Sequence, residues 1–139
     1  MGQQQLLLLV LGIVIVGLAV VVGIQAFGEN QKKANTDAVV NDAIRIASDA
    51  QAWALKPTAF GGGNGNFCAG ETTTAVTLTD LGYKADYENA NGEYSIAVTD
   101  CTSMEITGTG DASTVTVAVA GTDSDDITTS IAAIEADED

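Results

Sequence analysis

The spacing of the hydrophobic positions changes along the chain, and the first stretch has no polar position at all. From Leu6 to Ile24 every residue is Leu, Val, Ile, Ala or Gly, and residues 1–28 carry no charged side chain. As a helix, this apolar run rises roughly 28 Å, about the thickness of the hydrocarbon core of a membrane. The pattern predicts a helix that is buried in lipid or against other helices.

A second pattern, with helical spacing, follows in residues 29–56. Its apolar positions recur at intervals of four, three, four and three: Val39, Ala43, Ile46, Ala50 and Trp53. Such a stripe predicts one apolar face. The charged residues of this segment are expected to face the other way: Asp42, Arg45, Asp49 and Lys56. Pro57, with Gly61–Gly63 after it, should end the helix. We therefore predict a single helix from about residue 3 to residue 56, roughly 80 Å long.

Short alternating segments occupy the rest of the chain, residues 57–139, after a glycine-rich loop over Pro57–Gly70. Period-two alternation predicts strands at Glu93–Asp100, Ser103–Thr107 and Ser113–Ala120, with further strands expected at Ala75–Thr79 and Thr128–Ile134. Their shared apolar face would contain Tyr94, Ile96, Val98, Met104, Ile106, Val115, Val117 and Val119. This pattern predicts an α+β fold, in which an antiparallel meander of three to five strands covers the apolar stripe of the helix.

The charge is as unevenly distributed as the hydrophobicity. The chain has 19 acidic and 5 basic residues, no histidine and a net charge of -14, yet its mean hydropathy is +0.20. Residues 29–56 hold four acids and four bases, whereas residues 57–139 hold fifteen acids and a single base, Lys84. Three parts follow: an apolar segment (1–28), an amphipathic segment (29–56) and an acidic head (57–139).

This composition excludes several classes of function. Non-specific nucleic-acid binding needs clustered Lys and Arg, which the head lacks. Histidine-dependent catalysis and histidine-ligated metal sites need a residue that the chain does not contain. The head offers carboxylates, hydroxyls and one lysine, without a phosphate-binding loop or a nucleophile elbow. We therefore expect no enzymatic activity, no cofactor and no direct binding of nucleic acid.

Two cysteines, Cys68 and Cys101, are the only ones in the chain. Joined, they would connect the glycine-rich loop to the turn after the first clear strand. The chain-entropy model gives such a bond about 4 kcal/mol. The alternatives are two unpaired buried thiols or a redox-active pair, and an extracellular setting favours the structural bond.

One acidic loop, with Asp123, Asp125 and Asp126, holds oxygen atoms of the kind that bind Ca²⁺. The spacing does not match an EF-hand. The commoner meaning of such a cluster is a solvated surface loop.

The order of these parts resembles a type IV pilin. The resemblance lies mainly in residues 1–56, in the run Leu6–Ile24 and in the heptad-like continuation Asp42–Lys56, and its architecture extends over the whole chain. It implies a short basic leader that a prepilin peptidase removes, and methylation of the new amino-terminal residue, here Met1. A removed leader also explains why Lys32 and Lys33 follow the apolar run while no basic residue precedes it, an arrangement that would otherwise hold the head in the cytoplasm.

One position departs from the family pattern. Pilins usually have glutamate fifth in the mature chain, where it meets the amino terminus of a neighbour, and here that position is Gln5. An amide accepts a hydrogen bond from an ammonium group but does not neutralise it, so the contact should be weaker. Either packing sets most of the register, or processing occurs at Gly2–Gln3; we favour the first.

The resemblance implies assembly as the function. The protein would wait in the inner membrane, and a pilus assembly motor would move it into a homopolymer, an extracellular filament for adhesion or twitching motility. The packing positions would be Gln5, Leu6, Leu9, Ile13, Val16, Val20 and Ile24. Gly17 and Gly23 are the candidates for local loss of helix on assembly. The competing hypotheses are a pseudopilin of type II secretion and a membrane-anchored acidic domain that does not polymerise.

Overall fold

The computed structural model describes residues 2–69 and 74–134, and it has one long helix followed by two antiparallel sheets. Helix α1 covers Gly2–Leu55. The strands are β1 (Cys68–Ala69), β2 (Thr74–Ala75), β3 (Tyr87–Glu88), β4 (Gly92–Asp100), β5 (Ser103–Gly110), β6 (Ser113–Val119) and β7 (Ile127–Ala133). Strands β1 and β2 pair with each other, and the other five form a meander in the order β3-β4-β5-β6-β7. The predicted α+β class, with a helix packed on an antiparallel sheet, is confirmed.

The chain divides into two compact units, residues 1–34 and residues 35–139. In the described part of the first unit, α1 alone is present, with its side chains exposed. The second unit contains residues 35–55 of α1, all seven strands and a hydrophobic core of its own.

The apolar stripe of α1 lies in the core of the second unit, as its spacing predicts. All five stripe residues are buried, together with Ala47 and Ala54: Val39, Ala43, Ile46, Ala50 and Trp53. The sheet contributes the predicted face, in which Tyr94, Met104, Ile106, Val115, Val117 and Val119 are buried. Ile96 and Val98 are only partly buried. The helix packs on the sheet mainly through small side chains, which allow a close approach.

Two glycines of β5 allow the same approach from the side of the sheet. A Cβ atom on Gly108 would lie 2.8 Å from Cγ1 of Val39 and 3.0 Å from Cε1 of Tyr94. On Gly110 it would lie 2.6 Å from Oδ1 of Asn35. Larger residues at these positions would push the helix away from the sheet.

The glycine-rich loop caps the carboxyl end of α1. The backbone N–H of Gly63 donates to the carbonyl of Trp53 (3.3 Å), and Gly65 N–H donates to the carbonyl of Ala54 (2.6 Å). A Cβ on Gly63 would lie 1.7 Å from the carbonyl oxygen of Asn66, so only glycine fits this turn. The loop thus satisfies carbonyls that the end of a helix leaves without partners.

A disulfide bond joins Cys68 to Cys101, with their Cα atoms 5.1 Å apart. It connects β1 to the turn between β4 and β5, as the cysteine positions predicted. Beside it, the N–H of Phe67 donates to the carbonyl of Cys101 at 2.7 Å. The bond closes the segment after the helix onto the sheet.

The structure differs from the prediction around Ala75–Thr79. Only Thr74–Ala75 pairs as a strand, and the segment then turns, because Oδ2 of Asp80 accepts hydrogen bonds from the N–H (2.9 Å) and the hydroxyl (2.7 Å) of Thr77. Val76 and Leu78 are nevertheless buried. The alternation therefore reflects burial without strand pairing. Strand β3 was not predicted; it pairs through two residues only.

Replacing Gly108 by Ala should lower the free energy of unfolding by about 1–3 kcal/mol, the usual cost of extra volume in a packed core. The added methyl group must displace Val39 or Tyr94. Denaturant unfolding of the full chain in detergent, followed by Trp53 fluorescence, measures the change. The adjacent exposed residue provides the control, and Thr109→Ala should change stability by less than about 0.5 kcal/mol. Equal stabilities of the two variants would contradict the close approach of helix and sheet.

Candidate assembly site

The first half of α1 exposes apolar side chains on all sides. The predicted packing residues are all exposed: Gln5, Leu6, Leu9, Ile13, Val16, Val20 and Ile24. The exposed fraction of the six apolar side chains ranges from 54% for Val20 to 68% for Ile24. Leu8, Leu18 and Val22 lie at other angles around the helix and are exposed to a similar degree. From Leu6 to Ile24 the predicted residues form one stripe at spacings of three and four, but this surface is apolar all round.

The same segment has the length and composition to cross a membrane. Its most apolar 18-residue window has a mean hydropathy of 3.2 and is not buried within the chain. A membrane anchor and a signal sequence both have these properties. An apolar surface of this extent is far larger than the isolated hydrophobic residues found on soluble proteins.

Three further predicted positions belong to this segment. Gly17 and Gly23 are helical, and a Cβ at either would meet nothing within 4 Å. Gln5 is helical and exposed. Met1 lies outside the described residues. The local loss of helix at Gly17 and Gly23 concerns the assembled state and stays a prediction.

A polar cluster around Asp42 joins α1 to the edge of the sheet near β3. Its Oδ2 atom accepts hydrogen bonds from Nδ2 of Asn89 (2.9 Å), Nδ2 of Asn91 (2.8 Å) and the hydroxyl of Tyr94 (2.9 Å). Partial burial opposes ionisation of this carboxyl group, but the three donors and the nearby Arg45 outweigh it and hold the pKa of Asp42 below its usual value. Asp42 is therefore held as an anion.

A second carboxylate–phenol contact lies two helical turns further on, where Asp49 accepts a hydrogen bond from the hydroxyl of Tyr83. Burial, together with this contact, raises the pKa of Tyr83 to about 12. Burial and Asp42 likewise raise the pKa of Tyr94 well above its usual value. Tyr87 lies between these two tyrosines, with ring centroids 4.8 Å from Tyr83 and 5.5 Å from Tyr94.

These contacts correct one prediction. Asp42 and Asp49 were expected to face away from the sheet, but Asp42 binds Tyr94 of β4, and Asp49 binds Tyr83 in the segment before β3. Arg45 and Lys56 are exposed, as predicted. The two aspartates lie seven residues apart and next to the buried stripe, on the boundary of the apolar face. Half-buried charges at such a boundary need polar partners. The position of the two aspartates beside the apolar stripe is therefore the sequence signal that could have identified their contacts with the head.

Other polar contacts hold both sides of the helix. Asn35 donates to the carbonyl of Asn91 (2.9 Å), and the hydroxyls of Thr36 and Ser113 are 2.8 Å apart. At the other end of the packed segment, Nε2 of Gln51 donates to the carbonyls of Gly121 (3.1 Å) and Asp123 (2.8 Å). Residues 35–55 of α1 are thus fixed to the head by hydrogen bonds to both β3–β4 and the region after β6.

The acidic loop after β6 makes its own local contacts. Oδ2 of Asp126 accepts a hydrogen bond from the N–H of Asp123 at 3.1 Å, at the start of a short 3₁₀ helix, Ser124–Asp126. Within residues 2–69 and 74–134, no three His, Cys, Asp or Glu residues are grouped in a way that could hold a metal ion.

Comparison of the chain with protein-family models, with curated proteins and with solved structures found no match in any of the three. The architecture itself, a long apolar amino-terminal helix on an antiparallel sheet with a disulfide bond, is consistent with a pilin-like fold.

The Asp42 cluster makes stability depend on pH in a defined direction. A carboxyl group whose pKa is depressed in the folded state stabilises that state above its unfolded pKa, near 3.9, and this contribution disappears as the pH falls through the folded pKa. We expect Asp42→Asn to lower the free energy of unfolding by about 1–2 kcal/mol at pH 7, the cost of weakening hydrogen bonds to a charged group. Between pH 5 and pH 2, the wild type should lose more stability than the variant.

Denaturant unfolding at several pH values tests this expectation, and Asp37→Asn is the matched control. Asp37 lies on the same helix and is exposed. Its substitution should leave both the stability at pH 7 and the acid slope close to those of the wild type. An acid slope of Asp42→Asn equal to that of the wild type would show that Asp42 does not contribute.

Proposed function

We propose that this protein is the structural subunit of an extracellular type IV pilus filament, which it forms by polymerising through the first half of α1, for adhesion or twitching motility. One observation carries the proposal: an uncharged helical segment, exposed all round, belongs to a chain whose second unit, residues 35–139, has a hydrophobic core of its own. No residue of 2–28 belongs to that core.

The exposed apolar surface of residues 2–28 is stable only where something covers it. Burying one Leu, Ile or Val side chain stabilises a protein by about 1.5–3 kcal/mol, so the exposed segment cannot remain in water. A bilayer covers it in the monomer, and the same segments of other copies cover it in a polymer. Transfer between these two environments leaves the side chains apolar throughout, so the exchange needs no change in the fold of the head.

The contact between copies would be heterologous. An all-round apolar helix has no single self-complementary patch, and a head-to-tail contact that does not close on itself extends into a fibre. The chain has a net charge of -14, yet residues 2–28 of α1 carry no charged side chain, and this contrast supports the same arrangement. Neutral helices can gather at the centre while acidic heads stay hydrated outside.

The proposal defines the partners of the protein. They are other copies of the same chain, the inner membrane before assembly, a prepilin peptidase that acts at Met1 and a pilus assembly motor. It includes no catalytic step, no cofactor and no nucleic-acid contact, because the head is strongly anionic and the chain contains no histidine.

Replacing Ile13 by Asn should strongly reduce filament formation. It puts an amide in the middle of the predicted packing stripe and removes the burial of one large aliphatic side chain, a loss of about 2 kcal/mol for each subunit. The rest of the apolar run still suffices for insertion into the membrane. Cells producing the variant are sheared, and the protein in the released fibres and in the membrane fraction is quantified.

The matched control is Ala97→Asn, the same new side chain at an exposed position of β4. It should leave the amount of sheared filament unchanged. Wild-type protein that remains wholly in the membrane fraction would contradict polymerisation and favour a simple anchored domain. Short periplasmic assemblies without surface fibres would instead favour a pseudopilin.

Replacing Gln5 by Glu should make the filament more resistant to dissociation. A carboxylate at this position can form an ion pair with the amino terminus of a neighbouring copy, whereas the amide forms only a hydrogen bond. The detergent concentration at which sheared filaments dissociate should rise. Gln4→Glu, which moves the same charge by one residue and about 100° around the helix, should not raise it. Equal effects of the two substitutions would contradict a specific contact at position 5.

A further inference from the structure

The sheet of the head is divided into an acidic half and a neutral half. Strands β4 and β5 carry Glu93, Asp100 and Glu105, whereas Ser113–Val119 (β6) and Ile127–Ala133 (β7) carry no charged residue. The neutral half ends in β7, and among the described residues no strand pairs with its outer side. This edge lacks the charged residues and prolines that commonly prevent edge-to-edge pairing.

The register shows which backbone groups are open. The N–H of Ala120 donates to the carbonyl of Asp126 (2.9 Å), and the N–H of Ile134 donates to the carbonyl of Ala112 (3.1 Å). Because antiparallel partners alternate between hydrogen-bonded and non-bonded pairs, Thr128, Ser130 and Ala132 also direct their backbone groups towards β6. The N–H and C=O groups of the intervening residues point away from the sheet: Ile127, Thr129, Ile131 and Ala133.

These open groups are placed symmetrically about Ser130. A second β7, lying antiparallel with Ser130 opposite Ser130, brings Ile127 opposite Ala133 and Thr129 opposite Ile131. All four of these residues then form hydrogen-bonded pairs with the second copy. The side chain of Ile131, 56% exposed, lies on the face of the sheet that carries the core and would pack against the second strand.

We propose that β7 is a surface for lateral association with a second copy of this chain, through a continuous ten-stranded antiparallel sheet. The distribution of charged residues over the sheet favours contact through β7. Two heads that meet through their neutral halves keep the acids of β4 and β5 as far apart as the sheet allows, whereas every contact through the other half opposes like charges.

The association depends on salt. Each head holds fifteen acids and one base, and Asp125 and Asp126 lie directly before β7. Antiparallel pairing brings two such heads together, so like charges repel each other across the contact. Salt screens this repulsion, because the Debye length falls from about 30 Å at 0.01 M to about 3 Å at 1 M.

The area involved suits a weak contact that gains strength by repetition. A strand of seven residues is about 23 Å long and buries far less than the roughly 1,600 Å² of a standard stable interface. Two isolated chains therefore associate weakly. This part of the inference rests on the proposed function, because many such contacts along two filaments act together and bundle them.

Cysteine cross-linking of the full chain in detergent micelles tests the pairing. Ser130→Cys should form disulfide-linked dimers on oxidation, since residues in a non-bonded pair have Cα atoms about 4.5 Å apart. The yield at 1 M NaCl should exceed that at 10 mM by about tenfold. Thr128→Cys, on the same face of the same strand, should give no dimer with itself, because the two copies of that residue would lie about 14 Å apart. Mixing Thr128→Cys with Ala132→Cys should give a mixed dimer.

The outcomes separate this inference from the proposed function. Equal dimer yields for Ser130→Cys and Thr128→Cys, no dimer at any salt concentration, or a cross-link to a different protein would overturn pairing through β7. Sheared filaments of Thr129→Pro, which removes an outward N–H and leaves the bonds to β6 in place, should keep their wild-type length but stay dispersed at 1 M NaCl, where wild-type filaments bundle. Bundling of this variant would also overturn the inference. If no filament forms from any chain, the proposed function fails, while cross-linking in micelles still decides the pairing.

Discussion

The hydrophobic surface of α1 is the constraint on which the rest of the structure depends. One continuous helix carries two kinds of apolar surface: one is buried by the chain itself, and the other has no partner among the described residues. The second unit, residues 35–139, has a core that contains no residue of 2–34. Its core, its disulfide bond and its hydrogen bonds to residues 35–55 of α1 all lie within the second unit.

Small side chains determine how the helix meets the sheet. The buried face of α1 contains Ala43, Ala47, Ala50 and Ala54, and β5 presents Gly108 and Gly110 to Val39. Close packing of this kind leaves little room at the margins of the contact. Polar groups complete it there, with carboxylates of the helix on one side bound by phenol and amide donors. The acidic character of the chain thus also stabilises the fold, through Asp42 and Asp49, and is not confined to its solvated surface.

Much of this fold could be predicted from the sequence because periodicity reports burial. The stripe from Val39 to Trp53 and the alternation in β4, β5 and β6 identified the core on both sides of the contact. The same principle failed at Ala75–Thr79, where Val76 and Leu78 are buried in a turn held by Asp80. It also could not place Asp42 and Asp49, because their partners lie 34 to 52 residues away and depend on the tertiary arrangement. For the candidate site, composition alone identified the apolar segment, whereas the open edge of β7 required the register of the sheet.

The disulfide bond has a mechanical consequence. In the filament proposed above, tension would pull on each subunit along α1, and the load would reach the rest of the head through the glycine-rich loop after the helix. The bond between Cys68 and Cys101 would transfer that load directly to the turn between β4 and β5. The hydrogen bonds of Asn35, Asp42 and Gln51 lie along the length of the packed helix and would share the load in shear. In such a filament, these contacts would keep the head attached to a helix that is pulled.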